Sequence, residues 1–291
     1  MPRLGGLGTA FGRMGAGGKV PAAAAAAGPA NAETTTWVNA VVGDGGSVSA
    51  GRQTSVDTLI TSLKSGGVWT SLDRLFLFAA ENSQSALRDI CAAAAATVAG
   101  GPTFTADRGY TGTDNSSTVY IDSGFNPSTG TPNYTQNSAH ISVWSNTNAT
   151  SAAGGVSIGA QVSGASGQDT EIFPKFSDGK AYYRINDTSL GVSGGVANAD
   201  STGYYVANRS GAATQQGYRN AVDQGIVAVS SAAIPNGNFI ILGWIVYPAG
   251  THKTGDAHQN CGVTIGGSLT SGQVTSLYNA LRTYMTAVGV P

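Results

Sequence analysis

Charge is scarce in this 291-residue chain: only 11% of its residues are Asp, Glu, Lys or Arg, and the net charge is −1. A basic footprint for a polyanion is therefore missing at whole-chain level, and nucleic acid is not expected as a partner. Glutamate is nearly absent, with Glu33, Glu81 and Glu171 the full set. Two cysteines, Cys91 and Cys261, lie far apart in differently patterned segments, so buried free thiols are expected rather than a disulfide. No run of 18 apolar residues occurs, and glycines break Leu4 to Met14 where an export signal would need an apolar core. Neither a membrane span nor a signal peptide is expected.

What is plentiful is Gly, at 42 residues, together with Ala, Ser, Thr and Asn. Such usage suits many short strands joined by turns. Three segments follow from the patterning. Residues 1–32 are Gly/Ala-rich and carry Arg3, Arg13 and Lys19 with no acidic residue. That segment has too little apolar surface to fold alone, and ordering its glycines costs backbone entropy that only extensive contact can offset. It reads as an anchoring arm, with Arg3, Phe11, Arg13 and Lys19 as the contact residues.

Residues 33–101 read as a small helical docking subdomain. Trp37, Val38, Val41 and Val42 recur at helical spacing, and Val56, Leu59, Ile60 and Leu63 form a second stripe capped by Ser49. "VWTSLDRLFLFAA" is expected as a third, more fully apolar helix. A fourth starts near Ser83, with Leu87, Ile90, Cys91 and Ala94 on one side.

From residue 102 the period changes to two. "STVYIDSGF", "SAHISVWS", "DTEIFPKF", "KAYYRIN" and "TGYYVANRS" are short, β-branched and aromatic, and bounded by turn formers. This spacing predicts an antiparallel sandwich or jelly roll over residues 102–291. "FIILGWIVY" is apolar on both parities and is expected as a central strand covered on both faces. Thr270 with Gln273 forms a capping box for a C-terminal helix whose stripe runs from Val274 through Leu277, Tyr278, Leu281, Tyr284 and Met285 to Val288 before Gly289.

The words "FTADRGYTG", "YIDSGFNPST", "GYYVANRSG", "YRN" and "IGGSLTSGQVTSLYNALRTYMTAVG" resemble the laminin-G/concanavalin A-like jelly-roll proteins of tailed-phage and prophage virions. The helical segment "WVNAVV…ALRDI" also looks like the piece that precedes such domains, so the resemblance spans residues 33–289. It implies a mainly β, concanavalin A-like jelly roll in a virion component made in a bacterial host, anchored among other virion structural proteins, with homo-oligomeric packing and host polysaccharide as partner. Relatives with the hairpin after the aromatic-Arg pair often read Asn-Gly. Here Ala221 follows Asn220, which forces a side-chain-bearing residue to positive φ if those two form the turn. Asp223-Gln224-Gly225 is the competing tip, favoured by its glycine, and Arg219 would then pair with Asp223.

Carbohydrate binding is the favoured site chemistry, because sugars stack their apolar faces on aromatics while Asn, Asp and Arg bond their hydroxyls. Trp144, Tyr205, Arg209, Tyr218, Arg219 and Asn220 are the candidates. Glycoside hydrolysis would need two carboxylates on a shared cleft, for which Asp169 and Glu171 share one strand face, and it stands as the runner-up to a non-enzymatic role. A decoration protein without ligand is a third reading. No cofactor is expected. Calcium, as some jelly-roll relatives use, would look first to Asp107, Asp122 and Asn126. His252, Asp256, His258 and Cys261 are close in sequence, but their loose spacing, with His140 elsewhere, reads as a polar loop and not as a metal site.

Overall fold

The computed structural model describes residues 1–2, 28–151, 155–162, 169–187, 195–247, 250–252 and 255–291. The proposed anchor contacts Arg3, Phe11, Arg13 and Lys19 lie outside the described residues. Four helices are present among those described: α1 (Ala32–Gly43), α2 (Ala50–Ser65), α3 (Ser83–Leu87) and α4 (Ser271–Ala287).

In chain order the strands begin with β1 (Leu72–Phe76), β2 (Thr97–Ala99), β3 (Thr103–Thr105), β4 (Gly109–Thr111), β5 (Tyr120–Asp122) and β6 (Ala139–Ser145). They continue with β7 (Ile158–Val162), β8 (Asp169–Phe173), β9 (Lys180–Asp187), β10 (Val196–Ala197), β11 (Gly203–Gly211) and β12 (Thr214–Arg219). The last are β13 (Val222–Val227), β14 (Ile240–Ile241), β15 (Ile245–Tyr247), β16 (Thr251–His252) and β17 (Gln259–Gly266).

The first sheet runs β13-β12-β11-β6-β17-β4-β3, with β1 also on β17. The second runs β10-β9-β8-β7-β14-β5-β2, with β15 and β16 attached beside β7. All pairings are antiparallel except β15 with β7. The expected antiparallel sandwich with a C-terminal helix is therefore present.

Alternation along the strands fills two cores. Ile141 and Val143 of β6 and Val263 and Ile265 of β17 point between the sheets, where they meet Ile121, Ile158, Ile172, Ile185 and Ile240. Trp144, Tyr204, Val206 and Tyr218 point the other way, into a second core with Trp37, Val56, Leu59, Leu277, Leu281 and Met285 from the helices. Each fully buried aliphatic side chain stabilises by roughly 1.5–3 kcal/mol. All seven residues of β6 are buried because the helix layer covers the face that alternation alone would leave to water.

Capping fixes where the helices start. Ser49 Oγ accepts from Arg52 N at 3.2 Å. Thr270 Oγ1 accepts from Gln273 N at 3.2 Å while Gln273 Oε1 accepts from Thr270 N at 2.9 Å, which is the expected capping box. Just ahead of it, Asn208 donates to Leu269 O at 3.0 Å and accepts from Leu269 N at 2.8 Å. Those bonds set α4 onto the outer face of the first sheet.

Several expectations fail. The third helix is a short 3-10 turn, Trp69–Ser71, followed by strand β1, whose Leu75 and Phe76 pair with Thr264 and Val263 of β17. A short, fully apolar run suits a buried strand as well as a buried helix, and sheet pairing decided it. The fourth helix is only five residues long, ending where Arg88 turns extended. Because β1 belongs to the sandwich, and α1 and α2 share one core with α4, packing does not break at residue 101. "FIILGWIVY" is two short strands rather than one, split where Leu242 takes φ 62°.

Candidate functional site

Strands β12 and β13 meet at Asn220-Ala221, with Arg219 opposite Val222. Both turn residues have positive φ, 50° and 63°, as a two-residue type I′ turn requires. This corrects the preference for Asp223-Gln224-Gly225: Gly225, at φ 106°, lies within β13 beside a register shift, not at the tip. The Asn220 backbone supplies the reason. Its N–H donates to Tyr204 O and its Oδ1 accepts from Tyr204 N, both at 2.8 Å, so the turn is tied to the neighbouring strand. Asp223 accepts from Gln216 Nε2 at 2.6 Å and Gly225 N at 2.8 Å. Arg219 instead donates Nη2 to the carbonyls of Asp200 at 2.6 Å and Thr202 at 2.9 Å.

These contacts place Arg219 and Asn220 on the wall of a groove of about 300 Å³ between the hairpin, the end of β6 and α4. Trp144 forms its floor, Asn146 and Asp200 line one side, and Tyr278 and Arg282 line the other. Tyr278 and Arg282 are four apart on α4 and so share a face. The Trp144 and Tyr278 rings stack 5.9 Å apart with 7° between planes, Tyr204 closes the trio at 5.6 Å from Trp144, and the Arg282 guanidinium sits 5.8 Å from the Trp144 ring.

The other predicted sugar contacts are interior. Trp144 is 2% exposed, Tyr218 3%, and Tyr205 and Arg209 are sealed at 0%. Tyr205 accepts from Asn198 Nδ2 at 2.8 Å. Arg209 donates to the carbonyls of Ile185 at 2.7 Å, Val229 at 3.1 Å and Gly211 at 3.2 Å, which ties a corner of the chain together. Neither can offer a face to a ligand. Sequence reasoning missed Asn146, Asp200, Tyr278 and Arg282. Tyr278 had been assigned to the helix's apolar stripe, and only the Arg282 placed one turn later marks that edge as half wet.

The carboxylates of β8 are not open to a cleft. Asp169 is 1% and Glu171 3% exposed, and Arg184 Nη1 of β9 donates to Asp169 Oδ2 at 2.8 Å and Glu171 Oε1 at 2.5 Å. Phe173 backs that guanidinium at 5.8 Å. Burial pushes the Glu171 carboxyl up to about 8 and raises Asp169 too, against the pull of the single Arg184 charge.

The loop cluster is structural. Asp256 accepts from His258 Nδ1 at 2.5 Å, from Ser151 Oγ at 3.2 Å and from Ser157 Oγ, and both Asp256 and His258 are buried. Burial alone would lower the His258 pKa, but the Asp256 charge and hydrogen bond outweigh it and raise it. Burial also works against Asp256, yet the His258 charge and these hydrogen bonds hold its pKa below the usual carboxylate range. Cys261 is buried and donates to Arg108 O at 3.1 Å, and His252 belongs to β16. Both cysteines are free.

Among the described residues no group of three or more His, Cys, Asp or Glu could hold a metal ion. The calcium suspects do not fit as a set. Asp107 is paired with Arg52 at 2.5 Å, Asp122 accepts from Gly124 N at 2.8 Å, and Asn126 accepts from Ser128 N at 2.9 Å; each closes a local contact. No described helix is long and apolar enough to cross a membrane.

No family model matches the chain, and no curated protein matches it in sequence. Solved structures with similar folds include Trypanosoma rangeli sialidase in complex with 2,3-difluorosialic acid, at TM-score 0.45 and 12% identity over 78% of this chain and 39% of that one. Domain 4 of a GH43 extracellular arabinanase from Geobacillus stearothermophilus, in complex with arabinotriose, matches at 0.42 and 14% over 71% of this chain and 98% of that domain. The botulinum neurotoxin serotype D binding domain matches at 0.45 and 13% over 76% of this chain and 53% of that one. The chain thus spans well under two thirds of the sialidase and toxin chains, and likeness of this degree assigns no activity.

Proposed function

We propose that this protein is a non-enzymatic structural component of a tailed-phage or phage-like particle, whose sandwich attaches to host-surface glycan through the groove between the β12–β13 hairpin and α4. The observation that carries the binding part is the groove itself: a buried aromatic floor at Trp144, a half-buried Tyr278, and amide and guanidinium groups lining about 300 Å³. Such a mix of a few directed polar groups over an aromatic surface suits a sugar. The virion part rests on the sequence words quoted above. Display of many copies on one particle would turn weak single sites into firm attachment.

A depolymerase needs two carboxylates that reach substrate. Asp169 and Glu171 are instead sealed and bonded to Arg184, which favours the non-enzymatic reading. The test is a host-glycan array probed with the wild-type protein and Tyr278→Ala, alongside an assay for released reducing ends. Binding that Tyr278→Ala abolishes, without reducing-end release, is the expected result. Blank arrays would point to decoration without ligand, and reducing-end release would point to an enzyme.

A further inference from the structure

Resting on that reading of the groove, we infer that its sugar is acidic, carrying a carboxylate that Arg282 and Arg219 receive. The charge distribution carries the argument. In a chain with so few ions, Arg52, Arg74, Arg88 and Arg184 each lie within ion-pair distance of a carboxylate. Arg108, Arg209, Arg219 and Arg282 make no such pair among the described residues; Arg108 and Arg209 donate to backbone carbonyls, whereas Arg219 and Arg282 both line one small groove.

Both guanidinium groups also rest near an aromatic ring. Arg219 is fixed by the carbonyls of Asp200 and Thr202 and lies 5.7 Å from the Tyr205 ring. Arg282 lies over Trp144. A cation pinned on an aromatic face has already lost much of its rotamer freedom, so less is lost when it binds an anion. The one acidic side chain on the groove wall, Asp200, is turned onto its own loop, accepting from Thr202 N and Thr202 Oγ1 at 2.9 Å each. Pro291 lies at the exposed rim.

A carboxylate matches the planar guanidinium fork, and charge-assisted bonds of this kind are about twice as strong as neutral ones. A sugar carboxylate set toward Arg282 and Arg219, with its ring against the Tyr278 edge and its hydroxyls toward Asn146 and Asn220, matches the charged and amide groups along the groove. A neutral sugar would leave the Arg282 guanidinium without an anionic partner, whereas Arg219 already lies near the Asp200 carboxylate, whose pKa it helps to lower.

The test uses the full chain and a panel of uronate- and sialate-terminated oligosaccharides, each paired with its carboxyl-reduced, neutral counterpart, plus dextran sulfate. The acidic members should bind at least about tenfold tighter than their reduced forms, a charge-assisted contact's usual worth. That preference should shrink as salt is raised from 50 to 500 mM on the order of the screening expected for exposed charges. Arg282→Gln, at an exposed helix position, should remove most of the preference while leaving the unfolding midpoint unchanged. Equal affinity for acidic and reduced partners, or tighter binding of dextran sulfate than of any carboxylate sugar, would overturn the inference and leave the glycan-binding reading standing. Absence of binding across the panel and across the host-glycan array would overturn both.

Discussion

The Trp144 indole and the Tyr278 ring lie 5.9 Å apart and 7° from parallel, which joins the end of β6 to the C-terminal helix. One side chain is sealed and the other half-exposed, so the same stack is core on its inner side and site wall on its outer side. Trp144→Ala should destabilise the protein by about 3–5 kcal/mol through the cavity it leaves. Tyr278→Phe should preserve both stability and groove shape, while Tyr278→Ala should cost little stability and most of the glycan affinity. Urea unfolding and glycan titration on the same samples separate the two effects.

The turn at Asn220-Ala221 holds a side chain at φ 63°, where an L-residue is strained by roughly 1 kcal/mol. Ala221→Gly should therefore raise the free energy of unfolding by about 1 kcal/mol, less the entropy that glycine adds to the unfolded chain. Gly225→Ala should do the reverse, because φ 106° is closed to alanine without strain. A higher urea midpoint for the first variant and a lower one for the second are the expected readings.

Helices and sandwich should unfold together. Arg52 of α2 donates to Ala79 O at 3.1 Å and to the Tyr284 hydroxyl at 2.7 Å, and pairs with Asp107, so it joins two helices to the segment that follows β1. Arg52→Ala should lower stability by about 2 kcal/mol, less than for a sealed ion pair because Asp107 is partly solvated. Calorimetry should give one cooperative transition for both proteins. Two separated transitions in the wild type would show an independent helical unit.

Two histidines have pKa values shifted in opposite directions. His140 is buried between Gly267 O, at 2.5 Å, and Thr264 Oγ1, at 3.0 Å, and burial pushes its pKa down to about 4 from the ordinary 6.5. The unfolded chain then binds a proton more readily than the folded one, so this contribution is complete above pH 6.5 and is lost as pH falls toward 4. The loss amounts to at most about 3 kcal/mol. His258 has the opposite sign, since Asp256 raises its pKa; its contribution is present below its unfolded value and is lost as pH rises through the folded one. Stability curves from pH 4 to 9 should flatten on the acid side in His140→Gln and on the alkaline side in His258→Gln.

Much of the fold was legible because periodicity and caps are local. The Thr270/Gln273 box, the Ser49 cap and the alternation of "SAHISVWS" each depend on residues a few positions apart. "VWTSLDRLFLFAA" failed for the complementary reason: its state was decided by β17, almost 190 residues away. The site was less legible. Alternation shows that Trp144, Tyr205 and Tyr218 have two faces to choose between, but burial depends on whether a helix covers the outer one. Once α4 lies across the first sheet, Trp144 and Tyr218 become core, and the exposed chemistry passes to Tyr278 and Arg282 on the covering helix.

The most direct test is to map backbone amide shifts while titrating the protein with a host-surface oligosaccharide selected on the array. Saturable shifts gathered at Asn146, Thr202, Gly203, Asn220, Tyr278 and Arg282 are expected. Saturable shifts gathered instead on the outer face of the second sheet, around Phe173 and Tyr182, would contradict the assignment of the groove as the attachment site.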